Sequence, residues 1–103
     1  MKIELAENNN TCEAMIEGRL DSAHAPEAEE QLKAAADKYD TLILNLEKLE
    51  WSSSAGMRVF KSLNSRMTKK GGTLIFRNVG ESVMKVFDWM GFSAFFNIEN
   101  PEK

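Results

Sequence analysis

Apolar and polar residues alternate through the first part of the chain. Ile3 and Leu5 flank charged Glu4; Glu7 and Asn8-Asn9-Asn10 interrupt; then Cys12, Ala14 and Ile16 alternate with Glu13, Met15 and Glu17. A period of two is that of a strand with one buried face, and asparagine tolerates the backbone angles of a reversal. Two antiparallel strands joined by a short Asn-rich turn are predicted, closing at Gly18-Arg19-Leu20-Asp21. Residues 24–39 are then mostly helix formers. Pro26 sits in the first turn, where its missing N–H costs little, and Glu27, Glu29 and Glu30 lie near the positive end of the helix dipole.

From 41 to 46 the pattern changes to a nearly unbroken apolar run, Leu42, Ile43, Leu44 and Leu46. A one-faced strand would alternate, so this one is predicted in the middle of the sheet. Glu47-Lys48-Leu49-Glu50-Trp51 reads as a linker to Ser52-Ser53-Ser54. Val59, Phe60, Leu63 and Met67 then recur at helical spacing, with Lys69 and Lys70 suited to the negative end of the dipole and Gly71-Gly72 as the stop. Residues 73–76 form another apolar strand, and Asn78-Val79-Gly80 turns the chain. Val83, Val86, Phe87 and Met90 give a stripe by which a third helix packs, ending at Gly91. Ala94, Phe95, Phe96 and Ile98 read as a last short strand before a polar tail from residue 100 to 103. The predicted order is β-β-α-β-α-β-α-β, an α/β sandwich in which helices cover a mixed, mostly parallel sheet. Without a linker or internal repeat, residues 1–103 read as a single domain.

In open α/β sheets the working surface lies beyond the carboxyl ends of the strands, which points to residues 46–55. A serine at a strand-to-helix junction can accept hydrogen bonds from orphan N–H groups, and capping alone accounts for one there. A phosphate at the same place would also be tolerated, because the positive end of the helix and its free N–H groups favour an anion. Its effect would fall on a docked partner, where new charge brings desolvation and repulsion.

Composition narrows the classes. A hydrophobic share of 43% with 28% charged residues is that of a folded globular chain. A formal net charge of −3 removes the broad attraction that non-specific binding to nucleic acid or anionic lipid needs. The single Cys12 has no second thiol for a disulfide or a CxxC site, and neither a signal-peptide core nor a membrane-length apolar run is evident. A cytoplasmic protein is expected.

The segment Leu42-Ile43-Leu44-Asn45-Leu46-Glu47, then Leu49 and Trp51, then Ser53-Ser54-Ala55-Gly56-Met57, resembles the signature of the anti-sigma-factor antagonists, which are STAS domains. Gly18-Arg19-Leu20-Asp21, Gly71-Gly72-Thr73-Leu74 and Val86-Phe87-Asp88-Trp89-Met90-Gly91-Phe92 are similar to the family's other segments, so the resemblance covers nearly the whole chain. It implies that Ser54, with Ser53 as second choice, is phosphorylated by a partner kinase. It further implies a partner surface made by Asp21, Ser22, Ser52, Ser53, Ala55, Gly56, Met57, Arg58 and Lys61, with Met57 as an exposed apolar contact. The chain departs from the family at two places, Ser53 for an aspartate and Ala55 for a second serine. The implied partner is an anti-sigma factor with serine-kinase activity and a histidine-kinase-like ATPase fold, and a metal-dependent phosphatase would reverse the mark. An alternative keeps the fold and makes the protein a STAS accessory subunit of a lipid-transport ATP-binding-cassette complex.

No cofactor, metal or catalytic residue is implied. His24 is the single histidine, a G-x-S-x-G elbow is missing, and the glycines form neither phosphate-cradling motif, so a hydrolase or nucleotide-binding reading has no support in the sequence. Arg58, Lys61 and Arg66 fit either a solvated helix face or a docking surface. Most of Trp51, Trp89, Phe92, Phe95 and Phe96 are expected in core or sheet-edge packing.

Overall fold

A computed structural model describes residues 1–100 of the protein. The strands β1 (Lys2–Asn8) and β2 (Thr11–Leu20) pair antiparallel, with Asn9 at φ 57° in the turn between them. Then follow α1 (Ala25–Lys38), β3 (Thr41–Asn45), β4 (Leu49–Ser52), α2 (Ser54–Lys70), β5 (Thr73–Arg77), α3 (Glu81–Trp89), a single 3-10 turn over Phe92–Ala94, and β6 (Asn97–Glu99). The order across the main sheet is β1-β2-β3-β5-β6, with every pair after the first parallel. This is the expected mixed, mostly parallel α/β sheet, and β3, the continuous apolar run, lies between β2 and β5. The predicted tail beyond Asn100 lies outside the described residues.

Right-handed crossovers that step in one direction across a sheet deliver every helix to the same face. Burial agrees with that rule. Cys12, Ala14 and Ile16 of β2, Leu42 and Leu44 of β3, and Leu74 and Phe76 of β5 share one core with Leu32 of α1, Phe60 and Leu63 of α2, and Phe87 of α3. Ile43 points away from that core, and on its side Glu13, Asn45, Arg77 and Asn78 form a polar layer. Asn45 Nδ2 donates to Glu13 Oε2 at 2.9 Å, Asn78 Nδ2 donates to Asn45 Oδ1 at 3.2 Å, and Arg77 makes a pair with Glu99 at 2.7 Å. The helices thus cover one face of the sheet, and side chains of the strands themselves cover much of the other.

The structure adds one strand to the expected order. Leu49–Ser52, read from sequence as part of a linker, forms β4 and pairs parallel with the end of β2. Four residues are too few to show a period, and Leu49 and Ser52 are buried around exposed Glu50 and Trp51. The pairing is made possible at Gly18, where φ is +100° and the register shifts; its N–H donates to Lys48 O at 2.9 Å. At that angle a side chain would be strained, so glycine is the residue that lets β2 leave β3 and continue beside β4.

The last strand is also shorter than expected. Gly91, at φ +76°, ends α3, and the Phe96 N–H then donates to Phe92 O at 2.7 Å. This helical turn, which the apolar run had disguised as strand, brings Phe92 and Phe96 together. They complete an aromatic core in which Phe76 stacks on Phe96 at 4.4 Å and meets Phe60 and Phe87 edge-on at 5.5 Å each. Edge-on and offset contacts suit the ring quadrupoles. The remaining aromatics lie at the surface: Phe95 is half exposed while meeting Phe92 and Phe96 edge-on, Trp51 is on the edge strand β4, and Trp89, 82% exposed, faces solvent against expectation. Met90 is likewise exposed, because α3 docks through Val83 and Phe87, one turn apart, and the following turn leaves the core.

Candidate functional site

The pairing of β4 with β2 brings together two segments more than thirty residues apart in sequence. Leu20 lies opposite Ser52, and the Ser53 N–H donates to Leu20 O at 2.8 Å. The turn carrying Asp21 and Ser22 is therefore the immediate neighbour of the serine cluster, at the carboxyl ends of both strands. Arg19, opposite Trp51, lays its guanidinium over the indole at 4.8 Å and flanks the same place. Neither Arg19 nor its stacking on Trp51 was legible beforehand, since both depend on a strand the sequence did not display.

The three serines have different tasks. Ser52 is buried, and its hydroxyl donates to Ser53 O at 3.1 Å. Ser53 is extended, at φ −75° and ψ 171°, and its Oγ accepts from the Gly56 N–H at 3.2 Å, capping α2. Ser54 is the first residue of the helix; it is exposed, and its hydroxyl makes no hydrogen bond among the described residues. One serine is spent on the strand end and one on the cap. The third is free.

Gly56 explains how α2 can start so close to the sheet. A Cβ there would lie 2.3 Å from Ser52 Oγ and 2.8 Å from Leu20 Cγ, so only glycine fits without displacement. The same close approach buries Met57, which is 1% exposed. The expectation of Met57 as a surface contact is corrected: at the fourth position of the helix it points with Phe60 into the core. Of the residues expected to contact a partner, Ser22, Ser54, Arg58 and Lys61 are exposed, Asp21, Ser53 and Ala55 are partly exposed, and Ser52, Gly56 and Met57 are buried beneath them.

Asp21 is held by its own cap. Its Oδ1 accepts from the His24 N–H at 3.0 Å and lies 2.7 Å from His24 Nδ1. The hydrogen bonds from the His24 side chain and then its backbone hold this carboxyl below the ordinary aspartate range. The residue nominally at the helix start, His24, makes no side-chain cap of its own, so Asp21 both opens α1 and fixes the turn beside Ser53. Between the two helix starts runs a groove of about 440 Å³, lined by Ser22, Pro26 and Glu29 on one side and Ala55, Arg58 and Ser62 on the other.

The far ends of α1 and α2 are locked together. Arg66 donates twice to Asp37, at 2.7 and 2.9 Å, and Lys70 Nζ reaches the terminal carbonyls of α1, Ala36 O at 2.7 Å and Tyr39 O at 3.0 Å. Arg66 therefore belongs to the scaffold, whereas Arg58 and Lys61 have no acidic partner among the described residues. No helix there is long and apolar enough to cross a membrane, and the acidic, cysteine and histidine side chains form no cluster of three that could hold a metal ion.

Comparison with known proteins agrees with this architecture. The STAS domain family matches residues 2–103. BtrV of Bordetella bronchiseptica, named as a candidate anti-sigma factor antagonist, is 30% identical over 97% of this chain and 87% of its own. The anti-sigma-B factor antagonist of Bacillus subtilis is 26% identical over 95% of this chain and 90% of its own. The phosphorylated form of SpoIIAA, a Bacillus cell fate determinant, superposes with a TM-score of 0.80 over 99% of this chain and 93% of its own, at 19% identity, and so shares the fold. With the family matching almost every residue and the fold shared with SpoIIAA, the chain belongs to the STAS domain family.

Proposed function

We propose that the protein is an anti-sigma factor antagonist. It binds an anti-sigma factor through the surface around the start of α2, acts in a partner-switching pathway of transcription in the cytoplasm, and is controlled by phosphorylation of Ser54 rather than by any catalysis of its own. The observation that carries this reading is the division of labour among the serines. Ser54 alone combines exposure, a hydroxyl without another hydrogen bond among the described residues, and a place at the positive end of a 17-residue helix. A phosphate there adds about two negative charges where the helix dipole favours them, so the fold accepts the mark and a docked partner does not. The names of the two relatives support the same function.

The family's aspartate before the phosphorylated serine is replaced by Ser53, but the capping oxygen is kept, because Ser53 Oγ still receives the Gly56 N–H. The kinase would be the anti-sigma factor itself, with a histidine-kinase-like ATPase fold, and a metal-dependent phosphatase would restore the binding form. The partner surface comprises Asp21, Ser22, Ser53, Ala55, Arg58 and Lys61, with Ser52, Gly56 and Met57 supporting it from below.

The test is capture from the native host's lysate with wild-type protein and with Ser54→Asp, followed by mass spectrometry. A kinase-like anti-sigma factor held by the wild type and lost by the variant is the expected result. Transporter subunits held equally by both would overturn the reading, favour the accessory-subunit alternative and leave Ser54 a plain helix residue.

A further inference from the structure

The charge on α2 is one-sided. Its seventeen residues, Ser54–Lys70, include Arg58, Lys61, Arg66, Lys69 and Lys70 and no aspartate or glutamate, in a chain whose formal net charge is −3. An exposed helix normally gains from acidic residues in its first turn and from opposite charges three or four positions apart. This helix has neither, and Arg58 and Lys61 repel each other at a spacing of three. Within this pattern, helix formation accounts for Lys69 and Lys70 at the negative end of the dipole but not for Arg58 and Lys61.

Packing explains only part of it. Arg66 and Lys70 are committed to the end of α1. Arg58, Lys61 and Lys69 remain exposed and without an acidic partner among the described residues. Together with Arg66 they border a shallow concavity of about 470 Å³ along the helix, which Ser62 and Ser65 also line. Positions 54, 58, 61, 62, 65 and 69 follow the helical repeat, so this stripe starts at Ser54 and runs the length of α2.

We infer that the stripe is a docking surface for an acidic segment of a protein partner, with carboxylates pairing to Arg58, Lys61 and Lys69 and the serine hydroxyls donating between them. The inference rests on the proposed partner surface at the start of α2 and adds the partner's chemistry and a longer footprint. The stripe continues the proposed partner surface, and the residues lining its concavity include no aromatic side chain on which a base could stack, which favours a protein segment over a nucleic acid. It also gives Ser54 a second means of control. A phosphate on Ser54 is one helical turn from Arg58, where it competes for the guanidinium and repels the incoming carboxylates.

The probe is a synthetic octaglutamate peptide, titrated into isotopically labelled full-length protein and followed by amide chemical shifts. Shifts concentrated at Arg58, Lys61, Ser65 and Lys69 are expected, with affinity falling about tenfold or more between about 0.05 M and about 0.5 M salt. The double variant Lys61→Gln, Lys69→Gln should remain cooperatively folded in thermal unfolding and lose those shifts. Equal shifts at the unrelated cations Lys2, Lys48 and Lys85 would overturn the inference, and so would tighter binding of a single-stranded DNA oligonucleotide to the same stripe. Because the peptide experiment needs neither the anti-sigma factor nor the phosphate, its failure leaves the lysate result standing, and failure of the lysate capture leaves the peptide result standing.

Discussion

Gly56 lies against Leu20 with no room for a side chain: a Cβ on Gly56 would fall 2.8 Å from Leu20 Cγ and 2.9 Å from its Cδ2. The contact fixes the distance from the first turn of α2 to the end of β2, and with it the position of Ser54 relative to Asp21. Gly56→Ala should therefore destabilise the protein by about 1–3 kcal/mol, the usual cost of overpacking, despite alanine's better helix propensity. Urea unfolding measures this directly. A stability equal to or above wild type would mean that α2 moves freely against the sheet.

Ser53 holds the start of the same helix. Losing its hydrogen bond to the Gly56 N–H, Ser53→Ala should cost about 1 kcal/mol, while Ser53→Asp should retain the cap and gain a few tenths of a kcal/mol from the helix dipole. Thermal unfolding of the two variants should place them on opposite sides of wild type. A stable alanine variant would show that this cap contributes nothing.

Acid should weaken the fold through two carboxyls. Asp21, by its hydrogen bonds from His24, and Asp37, by its hydrogen bonds from Arg66, are both held below the ordinary aspartate range in the folded protein. A depressed folded-state pKa favours the ionised native form, so the stabilisation is complete above the unfolded value of about 3.9 and is lost as pH falls through the folded one. Asp21→Asn and Asp37→Asn should each be less stable than wild type at neutral pH and converge on it in acid, below the folded-state pKa. Denaturant midpoints across that range test it; parallel curves for wild type and variants would remove these pairs from the account.

Much of this architecture was legible because its signals are long. The unbroken run Leu42-Ile43-Leu44 marked the central strand, and Val59, Phe60, Leu63 and Met67 traced the buried side of α2, all of them buried in the structure. What escaped was short or set by tertiary contact. β4 is four residues whose pairing depends on the bulge at Gly18, and the turn at Phe92–Ala94 carries the apolar character of a strand because its phenylalanines enter an aromatic core. At the site, the order of residues showed a serine cluster before a helix but could not show which hydroxyl was free. That distinction comes from the backbone angles of Ser53 and the burial of Ser52. Met57 was misjudged because the neighbouring motif residues suggested surface, whereas the close approach at Gly56 sets the inner side of that turn, Gly56 and Met57, against the sheet.

The most direct test of the central claim is the affinity of the purified anti-sigma factor, once captured, for wild type, Ser54→Ala and Ser54→Asp by calorimetry. Removing a hydroxyl with no hydrogen bond of its own among the described residues should leave affinity near wild type, while the added charge should weaken it by about a hundredfold, the scale of a charge placed in a desolvated contact. Equal affinities for the alanine and aspartate variants would contradict the account, because the free hydroxyl at the start of α2 would then not govern binding.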